Sequence, residues 1–130
     1  MTMTTTKTIT DAELAVMRLL WREKRPMTLA QIRTELLQTT KWNRSTIKTL
    51  VFRLRDKGVI TNLDQYGAAQ FVPVVAEKEY IRAETPAFLN RVFEGSAKKL
   101  VAALVDSGKL TSGDIAELRD YFKVEGDKNA

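Results

Sequence analysis

Apolar side chains return every three or four positions along most of this chain, and a recurring polar signal marks where four of those runs begin. In each case a capping residue sits behind an apolar one, with a second apolar residue five positions after the first. Ile9-Thr10 with Glu13-Leu14 is the first case, and Met27-Thr28 with Gln31-Ile32 the second. Trp42-Asn43 with Ile47 is the third, lacking the acidic partner, and Leu110-Thr111 with Asp114-Ile115 the fourth. A side-chain oxygen at the cap accepts from free backbone N–H groups of the first turn, and the apolar pair fixes the approach angle of the chain. Four helix starts are therefore predicted.

The first helix is expected over about 11–24, with Leu14, Met17, Leu20 and Trp21 inward and Pro26 beyond its end. A second is expected over about 29–38, with Ile32, Leu36 and Leu37 inward. A third, over about 44–57, closes at Gly58, a residue suited to a left-handed position. Stretches 59–63 and 70–74 read as two strands around "DQYGAA". Gly67 is the turn glycine of a loop longer than a tight two-residue turn.

Three helices and a hairpin within about 75 residues form the winged-helix arrangement, a helix-turn-helix variant whose third helix can enter a DNA major groove. The same topology also serves modules that bind protein.

Beyond it the pattern is helical throughout. A short helix begins near Glu77, and Thr85-Pro86 reads as the cap and first turn of the next. Phe88, Leu89, Val92 and Phe93 recur at helical spacing; Leu100, Val101, Leu104 and Val105 repeat the pattern after a break near Gly95. Ile115, Leu118, Tyr121 and Phe122 form the last stripe. Short amphipathic helices of this total length make a poor core alone. They are expected to interlock with a second copy, folding back on the first half being the alternative. The expected organisation is a disordered tail (1–8), a winged-helix domain (9–75), a helical dimerisation domain (76–123) and a second tail (124–130). The fold class is mainly α with a small antiparallel β-hairpin.

Charge sharpens the reading. The chain carries 21 Lys/Arg and 16 Asp/Glu, a net +5. Residues 1–75 hold 12 basic and 6 acidic side chains, while residues 76–130 hold 9 and 10. The excess lies in the half with the third helix, where Lys41, Arg44, Lys48, Arg53, Arg55 and Lys57 face one acid, Asp56. This is the electrostatic footprint of phosphate contact. At about 100° per residue, Ile47, Leu50, Val51 and Leu54 share the core sector. Ser45, Thr49, Phe52 and Asp56 lie opposite; Lys48 stands on one flank, Arg53 and Thr46 on the other. Arg44, Ser45, Thr46, Lys48, Thr49, Phe52 and Arg53 are the candidate DNA-contacting residues. Lys and Arg donate to guanine edges or phosphates, Thr contacts a thymine methyl or a phosphate, and an outward Phe52 packs on a methyl or a sugar. Contact with the hairpin or with the chain tail is the alternative for Phe52.

Cysteine and histidine are absent. Disulfides, Cys- or His-based metal sites and Cys or Ser-His nucleophiles are thereby excluded. No cofactor, metal or catalytic site is expected, so the protein does not read as an enzyme. The start, "MTMTTTKT", has no signal-peptide core, and the longest apolar run, Leu100 to Val105, is too short to span a bilayer. A cytoplasmic protein with no membrane partner is expected.

"TDAELAVMRLLW", "TLAQIRTEL", "WNRSTIKTLVFRLRDKGVI" and "YIRAETPAFLNRVFEG" together resemble the penicillinase-repressor family, the beta-lactamase and methicillin-resistance regulators with their copper-responsive relatives. The resemblance runs from about Ile9 to Phe122. It implies a homodimeric transcriptional repressor that occludes promoters by binding double-stranded DNA at an inverted-repeat operator. By position it assigns Thr46, Lys48, Thr49 and Arg53 to the family's reading residues. The dimer interface is expected from Phe88, Leu89, Val92, Phe93, Leu100, Val101, Leu104, Val105, Ile115, Leu118 and Phe122. The resemblance also implies a sensor-linked protease as partner, cutting at the bond corresponding to Ala103–Leu104; release by a small ligand is the alternative. The chain departs from the family in three ways: it has no terminal cysteine cluster, no Lys or Arg in "TNLDQYGAAQ", and no Asn-Phe bond in "LVAALV". A winged-helix adaptor docking an acidic protein is the competing function.

Overall fold

The helix starts are built as their sequences dictate. In the computed structural model, which describes residues 8–65 and 67–129, α1 spans Asp11–Glu23 and α2 spans Leu29–Thr39. Thr10 and Thr28 cap them in reciprocal boxes: each hydroxyl accepts from the N–H three residues on, and the Glu13 or Gln31 side chain accepts from the cap N–H at 2.9 Å. α3, Arg44–Asp56, begins at Asn43, whose Oδ1 accepts from the Thr46 N–H at 2.8 Å. Lys24 ends α1 in the left-handed region, and Gly58, at φ 80°, takes the same region after α3.

β1 (Met27–Thr28) was not legible in the sequence. Two residues are too few to show a period of two, and β1 exists because it pairs with the strand that follows the turn. That strand is β3 (Ala68–Pro73), which also pairs antiparallel with β2 (Ile60–Gln65), so the sheet order is β1-β3-β2. The hairpin differs from expectation. Its register runs on to Gln65 opposite Ala68, so the connection is shorter than the expected loop. Asp64 and Gln65 read as turn residues by type, yet ladder hydrogen bonds use backbone groups and accept polar residues. Gly67, at φ 76°, supplies the turn conformation.

The core lies between the three helices and the sheet. Val16, Met17 and Leu20 from α1, Ile32 and Leu36 from α2, and Ile47, Leu50, Val51 and Leu54 from α3 are buried with Met27, Val59, Ile60 and Phe71. Leu37, expected inward, is exposed; Leu14 and Trp21 are half-buried at the margin. The Trp21 Nε1 donates to the Val75 carbonyl at 2.9 Å, and its ring lies 5.7 Å from that of Tyr80. These contacts tie the first turn of α4 (Glu77–Phe93) to the core.

α4 corrects a second expectation. Pro86 lies inside one continuous helix and does not start a new one. A proline removes one ladder bond, here to the Arg82 carbonyl, and Arg82 is exposed. The break comes at Glu94 and Gly95, both at positive φ. α5 (Ala97–Asp106) is capped by Ser96, and α6 (Ser112–Asn129) by reciprocal bonds between Thr111 and Asp114. α6 continues past Phe122, where apolar periodicity stops but the helical backbone does not. The expected tail at 1–8 lies outside the described residues except for Thr8, whose carbonyl accepts from Lys57 Nζ at 2.6 Å. The chain divides into two compact units, 1–83 and 84–130, with the division inside α4. In the second unit no described side chain through Lys123 is buried.

Candidate nucleic-acid interface

α3 is held at both ends. At its start Asn43 accepts from the Thr46 N–H and the Ser45 hydroxyl, so the Ser45 side chain is turned back onto the cap. Arg33 of α2 reaches across and donates from Nε and Nη2 to the Arg44 carbonyl, both at 3.1 Å. At the far end Lys57 Nζ meets the Glu13 carboxylate at 2.5 Å. Glu13 is only 1% exposed, and the same oxygen accepts from the Thr10 N–H. Burial pushes the Glu13 carboxyl up. Lys57 and the Thr10 groups outweigh it, so its pKa falls below the ordinary value.

Between these anchors the four apolar residues of α3 face the core, as the helical wheel predicts. Arg44, Ser45, Lys48, Thr49 and Arg53 are exposed, and Thr46 is half-buried. The helix thus presents hydroxyls and cations along one open face.

Phe52 departs from the outward position expected of it. It is half-buried against the core, with its ring 6.4 Å from that of Phe71 in β3. The hairpin contact wins because an aromatic ring gains more against Phe71 than in water. Lys48 Nζ lies 5.5 Å from the ring centroid and the Arg55 guanidinium 4.5 Å. The hairpin supplies no cation: Asp64 is the one charged residue of 60–73, and it accepts from Asn62 Nδ2 at 3.1 Å.

Sequence reasoning passed over Arg33 and the Glu13–Lys57 pair. Glu13 was legible as a box residue, but its cationic partner is 44 positions away; Arg33 finds its acceptor 11 positions on. Neither spacing leaves a local signal.

The expected interface residues of the second unit are divided in exposure. Leu89, Phe93, Leu100 and Leu104 are half-buried; Phe88, Val92, Val101, Val105, Ile115, Leu118 and Phe122 are exposed. An open apolar groove of about 410 Å³ runs between α5 and α6, lined by Val101, Leu104, Val105, Leu110, Ile115, Leu118, Arg119 and Phe122. Among the described residues no acidic cluster could hold a metal ion, and no helix is long and apolar enough to cross a membrane.

The sequence profile of the penicillinase repressor family matches residues 9–123. The penicillinase repressor of Bacillus licheniformis is 32% identical over 121 residues, covering 93% of this chain and 92% of that protein. The methicillin resistance regulatory protein MecI of Staphylococcus aureus (strain N315) is 30% identical over 114 residues, covering 88% and 92%. Among solved structures, the solution structure of the DNA-binding domain of the repressor BlaI superposes with a TM-score of 0.50 at 32% identity. It covers 57% of this chain and 89% of that one.

Proposed function

The chain belongs to the penicillinase repressor family and is a DNA-binding transcriptional repressor; we propose that it works as a homodimer, occluding promoters by occupying an inverted-repeat operator. The observation that carries this reading is the open face of α3. In this reading Thr46, Lys48, Thr49 and Arg53 meet the major groove, Arg44 and Ser45 lie where the helix enters it, and Phe52 supports Lys48 from behind. Side chains near the start of such a helix reach base edges, and flanking cations reach phosphates.

The dimer rests on the second unit. Val92, Val105 and Phe122 are 52%, 52% and 66% exposed, and seven of the eight groove-lining residues between α5 and α6 are apolar. Contiguous apolar surface of this kind marks an interaction site. A second copy of the same helices is its occupant in this reading, joining two reading heads so that one bound half-site raises the effective concentration of the other. A DNA partner makes the cytoplasm its place of action. Release by a sensor-linked protease fits a bond at Ala103–Leu104. That bond lies inside α5 with both residues half-buried, so cleavage requires local opening.

The test is titration of purified protein against duplex from its own upstream region and against random duplex, at several salt concentrations. The upstream duplex should bind at least a hundredfold more tightly, with log K falling by several units per log unit of salt. Equal affinity for both duplexes would overturn operator recognition and favour an acidic protein partner.

A further inference from the structure

The hairpin lies on one side of α3, and the ring that joins them carries two cations. Lys48, Phe52 and Arg55 are spaced four and three apart, so they form one ridge along the helix. Phe52 packs against Phe71 at the bottom of this ridge, and the cations lie over its ring at 5.5 and 4.5 Å. Thr46 and Arg53 stand on the opposite flank of the helix. A recognition helix in a major groove has a phosphate wall on each side. On the Arg53 side α3 itself offers an exposed cation, Arg53. On the hairpin side the wing brings none, since Asp64 is the one charged residue of 60–73.

We infer that Arg55 is the phosphate contact on the hairpin side of the DNA interface and that Phe52 is the positioning residue that aims it. The inference rests on the DNA-binding reading above. The Arg55 side chain is 42% exposed, and its ion pair with Asp56 spans 3.7 Å between Nε and Oδ1. That link is long and solvated, so the guanidinium can exchange it for a phosphate oxygen. Stacking on the Phe52 ring restricts the rotamers of a long side chain before DNA arrives, so less freedom is lost on binding. Position 55 sits more than two turns from the start of α3, beyond the reach of base edges suited to residues 45–49. Its contribution is therefore to affinity and salt dependence, without sequence preference.

The experiment compares the full chain with Arg55→Ala, Arg55→Lys and Phe52→Leu on operator and random duplex over a salt series. The wild-type preference for operator checks the underlying reading by itself. Arg55→Ala should weaken both duplexes by tenfold or more at about 0.1 M salt, and flatten the log K against log salt slope by about one unit per bound chain. Arg55→Lys should restore the slope. Phe52→Leu keeps an apolar side chain against Phe71 and should weaken binding severalfold with operator preference intact. A wild-type chain that prefers operator, with an Arg55→Ala slope equal to its own, would overturn the assignment of Arg55 alone. Phe52→Leu binding indistinguishable from wild type would overturn the positioning role. Matching melting curves for wild type and Arg55→Ala are required first, and Arg55→Gln gives the same reading if Arg55→Ala fails that check.

Discussion

Glu13 joins three separate structural tasks at one side chain. It caps α1, neutralises Lys57 and, through Lys57, draws in the carbonyl of Thr8. A buried carboxylate is costly without partners, and here it has a cation and two groups of Thr10. Its folded-state pKa lies below the ordinary value, so its stabilisation is complete above that value. The stabilisation is lost as pH falls through the lowered folded value. Glu13→Gln keeps an oxygen for the Thr10 N–H but loses the charge facing Lys57. It should cost about 1.5–3 kcal/mol at neutral pH. It should also flatten the acid side of the stability profile, as urea unfolding at stepped pH would record. An unchanged acid limb would mean that Glu13 carries no linkage. Phe52 belongs at this scale too. Its half-burial makes Phe52→Ala a stability change as well as a binding change, of about 1–3 kcal/mol, and a shift in urea midpoint at unchanged slope would record it.

At the scale of elements, α3 and α4 obey different rules. α3 is determined by its own sequence: a cap, a four-residue apolar stripe and a following glycine. Its orientation is another matter, set by Arg33 at one end and Lys57 at the other. α4 holds its course through Pro86, although an interior proline costs about 3 kcal/mol relative to alanine. Pro86 is exposed, so its replacement disturbs no core. Pro86→Ala should therefore raise stability by at least about 1 kcal/mol, seen as a higher melting temperature. A melting temperature that falls would mean the proline is needed for the path of the chain.

For the whole molecule the question is what covers the second unit. Exposed Phe88, Val92, Val101, Val105, Ile115, Leu118, Tyr121 and Phe122 leave it without an interior of its own. Sedimentation at micromolar concentration should give about twice the 14.7 kDa chain mass. A chain truncated after Ala103 loses Leu104, Val105 and all of α6. It should sediment as a monomer and bind operator at least a hundredfold more weakly, since linkage of the two half-sites is gone. A truncated protein that stays dimeric and binds as tightly as the full chain would exclude this segment as both interface and release switch.

The four caps flanked by an apolar pair are all present, because a cap is a bargain between residues three apart and needs nothing distant; the fifth expected cap, Thr85, lies inside α4 instead. The core face of α3 was equally legible, since helical phase alone places Ile47, Leu50, Val51 and Leu54 together. What the tertiary structure decided is every choice between distant partners. β1 forms because Met27 finds Phe71, and the hairpin tightens because Gln65 pairs with Ala68. Phe52 turns to the hairpin because Phe71 is there to receive it, and this brings Lys48 and Arg55 over one ring. Local pattern encodes which residues lie on a face, because backbone geometry repeats within a turn or two. It does not encode which ring, carbonyl or carboxylate will be waiting across the core, because that depends on how separate elements pack.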